Sequence, residues 1–400
     1  MASFHHKYTK DPPIGQPNFR TLPAVVIGGP PHSGKSVLAY SLTLALRQRE
    51  TPHYLLRAYP PDYEGDWFLA AEPETVRHLR CKGTQSEAWL PLLQRDIAAR
   101  RLPLLVDVGG LPTPEQEALL TACTHGILLT PDPASHAEWA ARFAQHGLPL
   151  LADLRSDLHG VNALTAQAPV LQGMLAGLER GAQAQGAAFT ALVERLAALF
   201  TMATKGLVRQ HLAAAPAELA VDLAALARQL GQDPHQWLPE ALPAVLDYLP
   251  EQVPLALYGR GPNWLYAAIA AYTWPAPCYL FDVRLGWIET PRLSWGTPTP
   301  PTPLQVTLQH APTCAQLDFR LPDTYLDLAE APHLRLPPVP APGLLLNGKL
   351  PHWLWAALAR HYQPSQWLAV AHPPLAGAVI VRSHTASQPV GSAVPLLSAL

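Results

Sequence analysis

Residues 23–48 read PAVVIGGPPHSGKSVLAYSLTLALRQ. An apolar run, a glycine-rich turn and a segment with Leu38, Leu42, Ala45 and Leu46 on one face make a strand, a loop and a helix in that order. Between strand and helix stands Gly29-x-x-x-x-Gly34-Lys35-Ser36. Backbone N–H groups of such a loop wrap phosphate oxygens at a helix N-terminus, the lysine reaches the terminal phosphates, and the hydroxyl ligates Mg²⁺. The pattern predicts a nucleotide site on Gly29, Gly34, Lys35 and Ser36, with ATP and Mg²⁺ as ligands.

Working outward, LPLLVDVGG (102–110) is a second apolar strand whose Asp107 stands where a carboxylate would hold the magnesium ion. No glutamate follows it, so the water-activating carboxylate of motor-type ATPases is missing and kinase-like or slow hydrolytic chemistry stays open. Further strands at HYLLRA (53–58), HGILLT (125–130) and LPLLAD (148–153) alternate with helical stretches, the rhythm of a doubly wound parallel sheet. Ligands of such sheets sit beyond the strand C-termini. Two polar segments are expected there as loops, PPDYEGDW (60–67) with Asp62, Glu64 and Asp66, and DLRSDLHG (153–160). Arg77, Arg80 and Lys82 read equally as phosphate contacts or as surface charge on a helix. Residues 187–230 read as helical, with leucines at three- and four-residue spacing from Leu192 to Leu230.

The chain has 400 residues, 48% of them hydrophobic, enough to fill the cores of two or three domains. A formal charge of −2 without a basic stripe argues against long nucleic acid as a partner but leaves a small nucleotide open. Cys81, Cys123, Cys278 and Cys314 show no C-x-x-C spacing and read as reduced packing residues, which points to the cytoplasm. The first residues lack the apolar core of a signal peptide, and no membrane segment is expected. Proline is concentrated in TPTPPTP (297–303) and PPVPAP (337–342), stiff extended connectors, the first a domain boundary.

Beyond residue 250 the chain repeats itself. LALYGRGPNWLYAAIAAY (255–272) aligns with LLLNGKLPHWLWAALARHY (344–362) at an offset of 89 until one inserted residue, matching Gly259 with Gly348, Pro262 with Pro351, Trp264 with Trp353 and Leu265 with Leu354. Each copy reads as a strand, a glycine turn, a helix opening on Pro-x-Trp-Leu, a second strand and a hairpin. Both tryptophans read as core. The expected architecture is α/β throughout: a doubly wound P-loop NTPase domain over 1–210, a first small α/β unit with a helical lead-in over 211–300, and a second over 301–400, the two units pairing as a pseudo-dimer.

Gly259-Arg260-Gly261-Pro262-Asn263-Trp264-Leu265, followed by Asp282-Val283-Arg284-Leu285-Gly286, resembles the CRISPR-associated Csx-three ring nuclease family. The second copy adds AGAVIVRSH, ending in Ser383 and His384. The N-terminal half resembles the AAA-like ATPase partner fused to some members. The resemblance implies a protein of type III CRISPR antiviral defence that binds cyclic tetra-adenylate and cleaves it with help from a divalent metal such as manganese, in an oligomer whose paired subunits sandwich the ring. It also implies catalytic roles for Asp282, Arg284 and His384, ring contacts from Gly259, Arg260, Gly261, Pro262, Ser383 and Lys349, and Asp282 and His384 as manganese ligands. Arg260 and Arg284 can neutralise phosphate, and an imidazole can move a proton near neutral pH. The copies differ: Lys349 replaces Arg260, His372 replaces Asp282, Pro374 replaces Arg284, and Thr273 and Gln363 stand where the family has a histidine after the helix tyrosine. A working site would then combine both copies, within one chain or between neighbouring chains. A binding-only sensor of the ring, and a nucleotide or nucleoside kinase, are the alternative readings.

Overall fold

The computed structural model describes residues 22–58, 90–110, 112–298, 302–322 and 325–397. Its first sheet contains β1 (Ala24–Gly28), β2 (Tyr54–Ala58), β3 (Leu104–Val108), β4 (His125–Thr130), β5 (Leu150–Asp157), β6 (Ala163–Ala166) and β7 (Leu171–Ala176) in the order β2-β3-β1-β4-β5-β7-β6. All neighbours are parallel except β6 against β7. Alternate residues of β1 divide between two cores, Val25 and Ile27 on one face and Ala24 and Val26 on the other. Helices α1 (Lys35–Gln48) and, later in the chain, 187–204 cover the first face; helices 90–98 and 133–145 cover the second. In chain order these last three are α3 (Ala187–Thr204), preceded by α2 (Pro133–Gln145), and the unnumbered helix Leu90–Ala98, called here the joint helix. No strand stands between β1 and β3, as one would in an AAA-like arrangement.

Two expectations change here. The segment 153–160 is not a loop from its start: β5 continues to Asp157, with Ala152, Leu154 and Ser156 buried and Arg155 and Asp157 exposed, the period-two signature of a half-buried strand. Nor is 187–230 one helical region. α3 ends at Thr204, α4 (Leu207–Ala213) follows Gly206 in the left-handed conformation, and Leu219–Asp222 is a strand. The stretch Ala187–Ala213 is long and apolar enough, by length and composition alone, to cross a membrane, a test that core helices also pass. In the fold Leu192, Leu196 and Phe200 are buried against the first sheet, and the Arg195 guanidinium donates to the carbonyls of Leu151 (2.8 Å) and Pro169 (3.1 Å).

The second sheet holds β8 (Leu219–Asp222), β9 (Leu255–Tyr258), β10 (Cys278–Asp282) and β11 (Gly286–Glu289) in the order β11-β10-β9-β8. Between β8 and β10 run α5 (Leu223–Gln229), α6 (Leu242–Tyr248) and α7 (Asn263–Tyr272). A short strand β12 (Ser294–Trp295) then pairs with β15 (Arg335–Leu336). The third sheet holds β13 (Gln305–His310), β14 (Cys314–Arg320), β16 (Gly343–Gly348), β17 (Trp367–His372), β18 (Gly377–Ser383) and β19 (Ala393–Pro395), in chain order across the sheet, with α8 (His352–His361) between β16 and β17. β8, β9 and β10 are mutually parallel with β11 antiparallel; β14, β16 and β17 are mutually parallel with β18 antiparallel. The two sheets thus share strand order and sense. The correspondence extends further back than the sequence repeat: Asp222 pairs with Tyr258, and Asp318 pairs with Asn347, the residue equivalent to Tyr258.

One core joins these two units. α7 and α8 are alanine-rich, and Trp264, Ala267, Ala270, Trp353, Ala356 and Ala359 are all buried in it. Short side chains let the helices approach closely, and a helix apolar all round is stable only when covered on all sides. Tyr266 lies against His352 near one end (ring centroids 4.6 Å), while Arg360 donates to the Ala270 carbonyl (3.2 Å) and Gln363 to the Ala271 carbonyl (2.7 Å) near the other. The helices therefore run side by side in the same direction, and both helix N-termini open on one edge of the molecule.

Candidate functional site

The loop from β1 to α1 is built by close approach. A Cβ at Gly29 would stand 2.0 Å from the Leu129 carbonyl oxygen, and Gly34, with φ of 88°, would press one to 2.6 Å from Leu178. Only glycine suits either place. The Lys35 ammonium donates to the carbonyls of Gly29 (2.7 Å) and Pro30 (2.6 Å), so it lies across the loop it would share with a phosphate. Burial lowers its pKa to about 8, against the opposing pull of Asp107. The Ser36 hydroxyl donates to Asp107 Oδ2 at 2.8 Å. Asp107 pairs in register with Ile27, which brings it beside the loop. A hydroxyl and a carboxylate at this separation are hard oxygen donors of the kind Mg²⁺ takes, and the pair fits that ion. A Cβ at Gly110, three residues after Asp107, would meet the Pro31 backbone nitrogen at 2.2 Å, so the end of β3 packs directly on the loop. Asp62, Glu64, Asp66, Arg77, Arg80 and Lys82 lie outside the described residues.

The second candidate is the edge where α7 and α8 begin. Gly259, Arg260, Gly261 and Pro262 lead into α7; Gly348, Lys349 and Pro351 lead into α8. Arg260 is exposed and Lys349 half-buried. The Tyr266 hydroxyl donates to the Gly259 carbonyl at 2.5 Å and fixes the first loop. Two parallel helices present the positive ends of their dipoles to this edge, beside two cationic side chains.

At the end of β10 on the same edge, Asp282 is engaged by its own turn. Its Oδ1 accepts from the backbone N–H of Arg284 (2.8 Å) and Leu285 (3.2 Å) and from Arg284 Nε (3.1 Å), and its Oδ2 from Arg284 Nη2 (2.9 Å). Burial works to raise this carboxyl's pKa, but the adjacent guanidinium and N–H donors outweigh it and hold it below the ordinary value. Arg284 also faces the joint helix, with Nη1 3.8 Å from Asp96. Asp96, 1% exposed, accepts from Arg95 Nη2 (3.0 Å) and Tyr325 (3.1 Å), and Arg95 pairs with Asp327 (2.9 Å). Burial raises the Asp96 carboxyl despite Arg284 and Arg95 beside it. Together with the Arg101 N–H donating to the Val283 carbonyl (2.8 Å), this network ties the first domain to the turn 282–286 and to the segment after β14.

Ser383 and His384 lie elsewhere. β18 runs antiparallel to β17, and Ser383 pairs with Trp367, the first residue of β17, whereas the edge described above is at its last residue, His372. A ten-residue helix is about 15 Å long, so the two edges are separated by roughly that distance. Ser383 closes a local turn with Thr385 (3.0 Å), and the His384 ring meets the Arg382 guanidinium. One chain therefore does not bring Asp282 and Arg284 together with Ser383 and His384. Asp282 and His384 do not fit a shared manganese ion within the chain, and among the described residues no group of three or more His, Cys, Asp or Glu is placed to hold a metal. Thr273 and Gln363 stand at the same far end as His384. Thr273 accepts from Arg360 (3.2 Å) and Gln363 donates to Ala271, so both positions knit the two units together.

Two histidines to which the sequence reading gave no role stand on the candidate edge. His352 opens α8, and His372, at the position equivalent to Asp282, lies edge-on to Trp264 (6.3 Å). The available signal was an asymmetry: the variable residue of Pro-x-Trp-Leu is Asn263 in one copy and His352 in the other.

Residues 320–395 match the model of the family described as CRISPR-associated protein (Cas_csx3). The matched stretch runs from the end of β14 to β19, so the likeness to CRISPR-associated Cas_csx3 proteins lies in the second unit. An uncharacterized protein of Aquifex aeolicus is 37% identical over 51 residues, which are 13% of this chain and 46% of that protein. The chain thus spans less than half the length of this relative.

Proposed function

We propose that this chain is a nucleotide-binding protein of type III CRISPR defence whose C-terminal units bind cyclic tetra-adenylate and cleave one of its phosphodiester bonds. The observation that carries the reading is the shared edge, where two parallel helix N-termini, Arg260 and Lys349 converge next to the Asp282–Arg284 turn, in units of which one matches Cas_csx3. A compact ring of four phosphates suits a short cationic edge on a protein of net charge −2. The two units form a pseudo-dimer. Because Ser383 and His384 occupy the opposite edge, their joint action with Asp282 and Arg284 requires two chains stacked edge to opposite edge with the ring between them, which makes the active form a homo-oligomer. In the first domain Gly29, Gly34, Lys35 and Ser36 hold ATP phosphates, and Ser36 and Asp107 hold Mg²⁺.

One observation favours a second reading, a sensor that binds the ring without cutting it: the Asp282 carboxylate accepts four hydrogen bonds from its own turn. Incubation of the full chain with cyclic tetra-adenylate, Mn²⁺ and ATP, with products separated by chromatography, decides between them. Linear adenylates are expected; intact bound ring supports the sensor, and a ring that is neither bound nor cut overturns both. Calorimetry of Lys35→Ala with Mg-ATP tests the first domain: binding is expected to vanish, and parental affinity would remove the nucleotide assignment.

A further inference from the structure

The same-direction packing of α7 and α8 gives the shared edge two half-sites, each made from both units. The end of β17, with His372, faces the start of α7, its ring 6.3 Å from that of Trp264. The like order and sense of the strands in the two sheets put the turn after β10, with Asp282 and Arg284, on the side where α8 starts at His352. The His352 ring also lies 4.6 Å from that of Tyr266, whose hydroxyl holds the Gly259 carbonyl. The divergence of the copies sorts by half-site rather than by copy. One half-site has Asp282, Arg284 and His352. The other has His372, Pro374 and Asn263 in the equivalent places, and so lacks the carboxylate, the guanidinium and the imidazole at the helix start.

Resting on the ring-cleaving reading above, we infer that the edge holds one working half-site and that His352, from the second unit, is the catalytic residue that accepts the proton of the attacking ribose hydroxyl. His352 is exposed at the start of α8, where a substrate can reach its ring. Desolvation by neighbouring atoms works to lower its pKa below the ordinary imidazole value, so the neutral form that accepts a proton prevails at physiological pH. An arriving phosphate, being anionic, raises that proton affinity when the substrate is in place. The step balances without a further reactant. O2′ of one ribose attacks the adjacent phosphorus as its proton passes to the His352 imidazole; the P–O5′ bond breaks, a 2′,3′-cyclic phosphate forms, and O5′ takes up a proton, which His352 or solvent returns. Arg260 and Lys349 with the two helix N-termini face the phosphates, while the Asp282–Arg284 pair fixes the wall beside His352.

His352→Asn installs the residue that the first copy has at this place, with little change in volume at a solvent-reached helix start. The full-length variant and parent are compared for cleavage of cyclic tetra-adenylate and, separately, for ring affinity by calorimetry under conditions where turnover is negligible. The expected result is a fall of at least about tenfold in cleavage rate, the low end of what losing a proton-transfer group costs, with ring affinity within about twofold of the parent. Cleavage at the parental rate overturns the assignment, as does a parallel loss of affinity and cleavage, which would make His352 a binding or structural residue. A parent that binds the ring but never cuts it also overturns the assignment while sparing the ring-binding reading; a parent that does not bind the ring removes the reading itself.

Discussion

The two tandem units share a backbone and a core but not an edge. Trp264 and Trp353 occupy equivalent places at 0% and 1% exposure, in one continuous core. At the loops and strand ends the equivalent residues part: Arg260 and Lys349, Asn263 and His352, Asp282 and His372, Arg284 and Pro374. Packing explains the contrast. Side chains of both units fill one core, so a change there disturbs the packing of both, whereas a side chain at a loop or strand end has fewer neighbours to satisfy.

The largest effect that sharpens this comparison is on stability. Trp264→Ala and Trp353→Ala each remove a fully buried ring from the joint core, and each should cost about 3–5 kcal/mol. Urea melts of the two variants should move their midpoints by similar amounts. If one substitution costs as much as this and the other less than about 1 kcal/mol, the core is not shared and the units are better described as separate.

A smaller effect tests the asymmetry at the far end of the helices. Arg360 donates to Ala270 (3.2 Å), Thr273 (3.2 Å) and Ala276 (2.7 Å) and lies over the Trp274 ring, capping the C-terminus of α7 from the other unit. The equivalent position in the first copy is Ala271, so no reciprocal cap exists. Arg360→Ala leaves α7 carbonyls without these donors and should cost about 1–3 kcal/mol. Its effect should not add to that of Thr273→Val, because the two share one set of bonds. Full additivity would mean that the cap contributes nothing as a unit.

These contrasts also mark what the sequence could carry. The strand, loop and helix from Ala24 to Gln48 were legible because they are contiguous and close approach demands glycine at Gly29 and Gly34; β3 was legible as an apolar run ending near Asp107. The continuation of β5 through Arg155 and Asp157 is written as period-two alternation but looks like a polar loop when polarity alone is weighed. Leu219 fits a helical leucine spacing, yet Leu219–Asp222 pairs with β9 as a strand, because tertiary pairing outweighed a short local pattern. The relative direction of α7 and α8, which leaves His352 on the edge of Asp282 and His384 on the opposite one, is set by packing between segments 89 residues apart, and no local signal encodes it.

The smallest effect separates Asp282 from its counterpart His372 by the pH at which each weakens the fold. Burial lowers the pKa of His372, so the folded state prefers it neutral. Between its ordinary value near 6.5 and the lower folded value the unfolded chain binds more protons, and stability contributed by His372 is full above about pH 6.5 and lost on acidification below it. Asp282 also ends below its ordinary value, because Arg284 and the turn N–H groups outweigh burial. Its contribution is full above about pH 4 and is lost only as pH falls through the folded pKa. Stability against urea, measured from pH 8 to pH 3, should therefore show the difference between parent and His372→Asn changing from about pH 6.5 downward, and that between parent and Asp282→Asn changing only below about pH 4. Other buried histidines, His53 and His211 among them, titrate in the upper window and cancel in the difference. A difference curve for Asp282→Asn that already bends near pH 6 would mean that this carboxyl is not held low by Arg284.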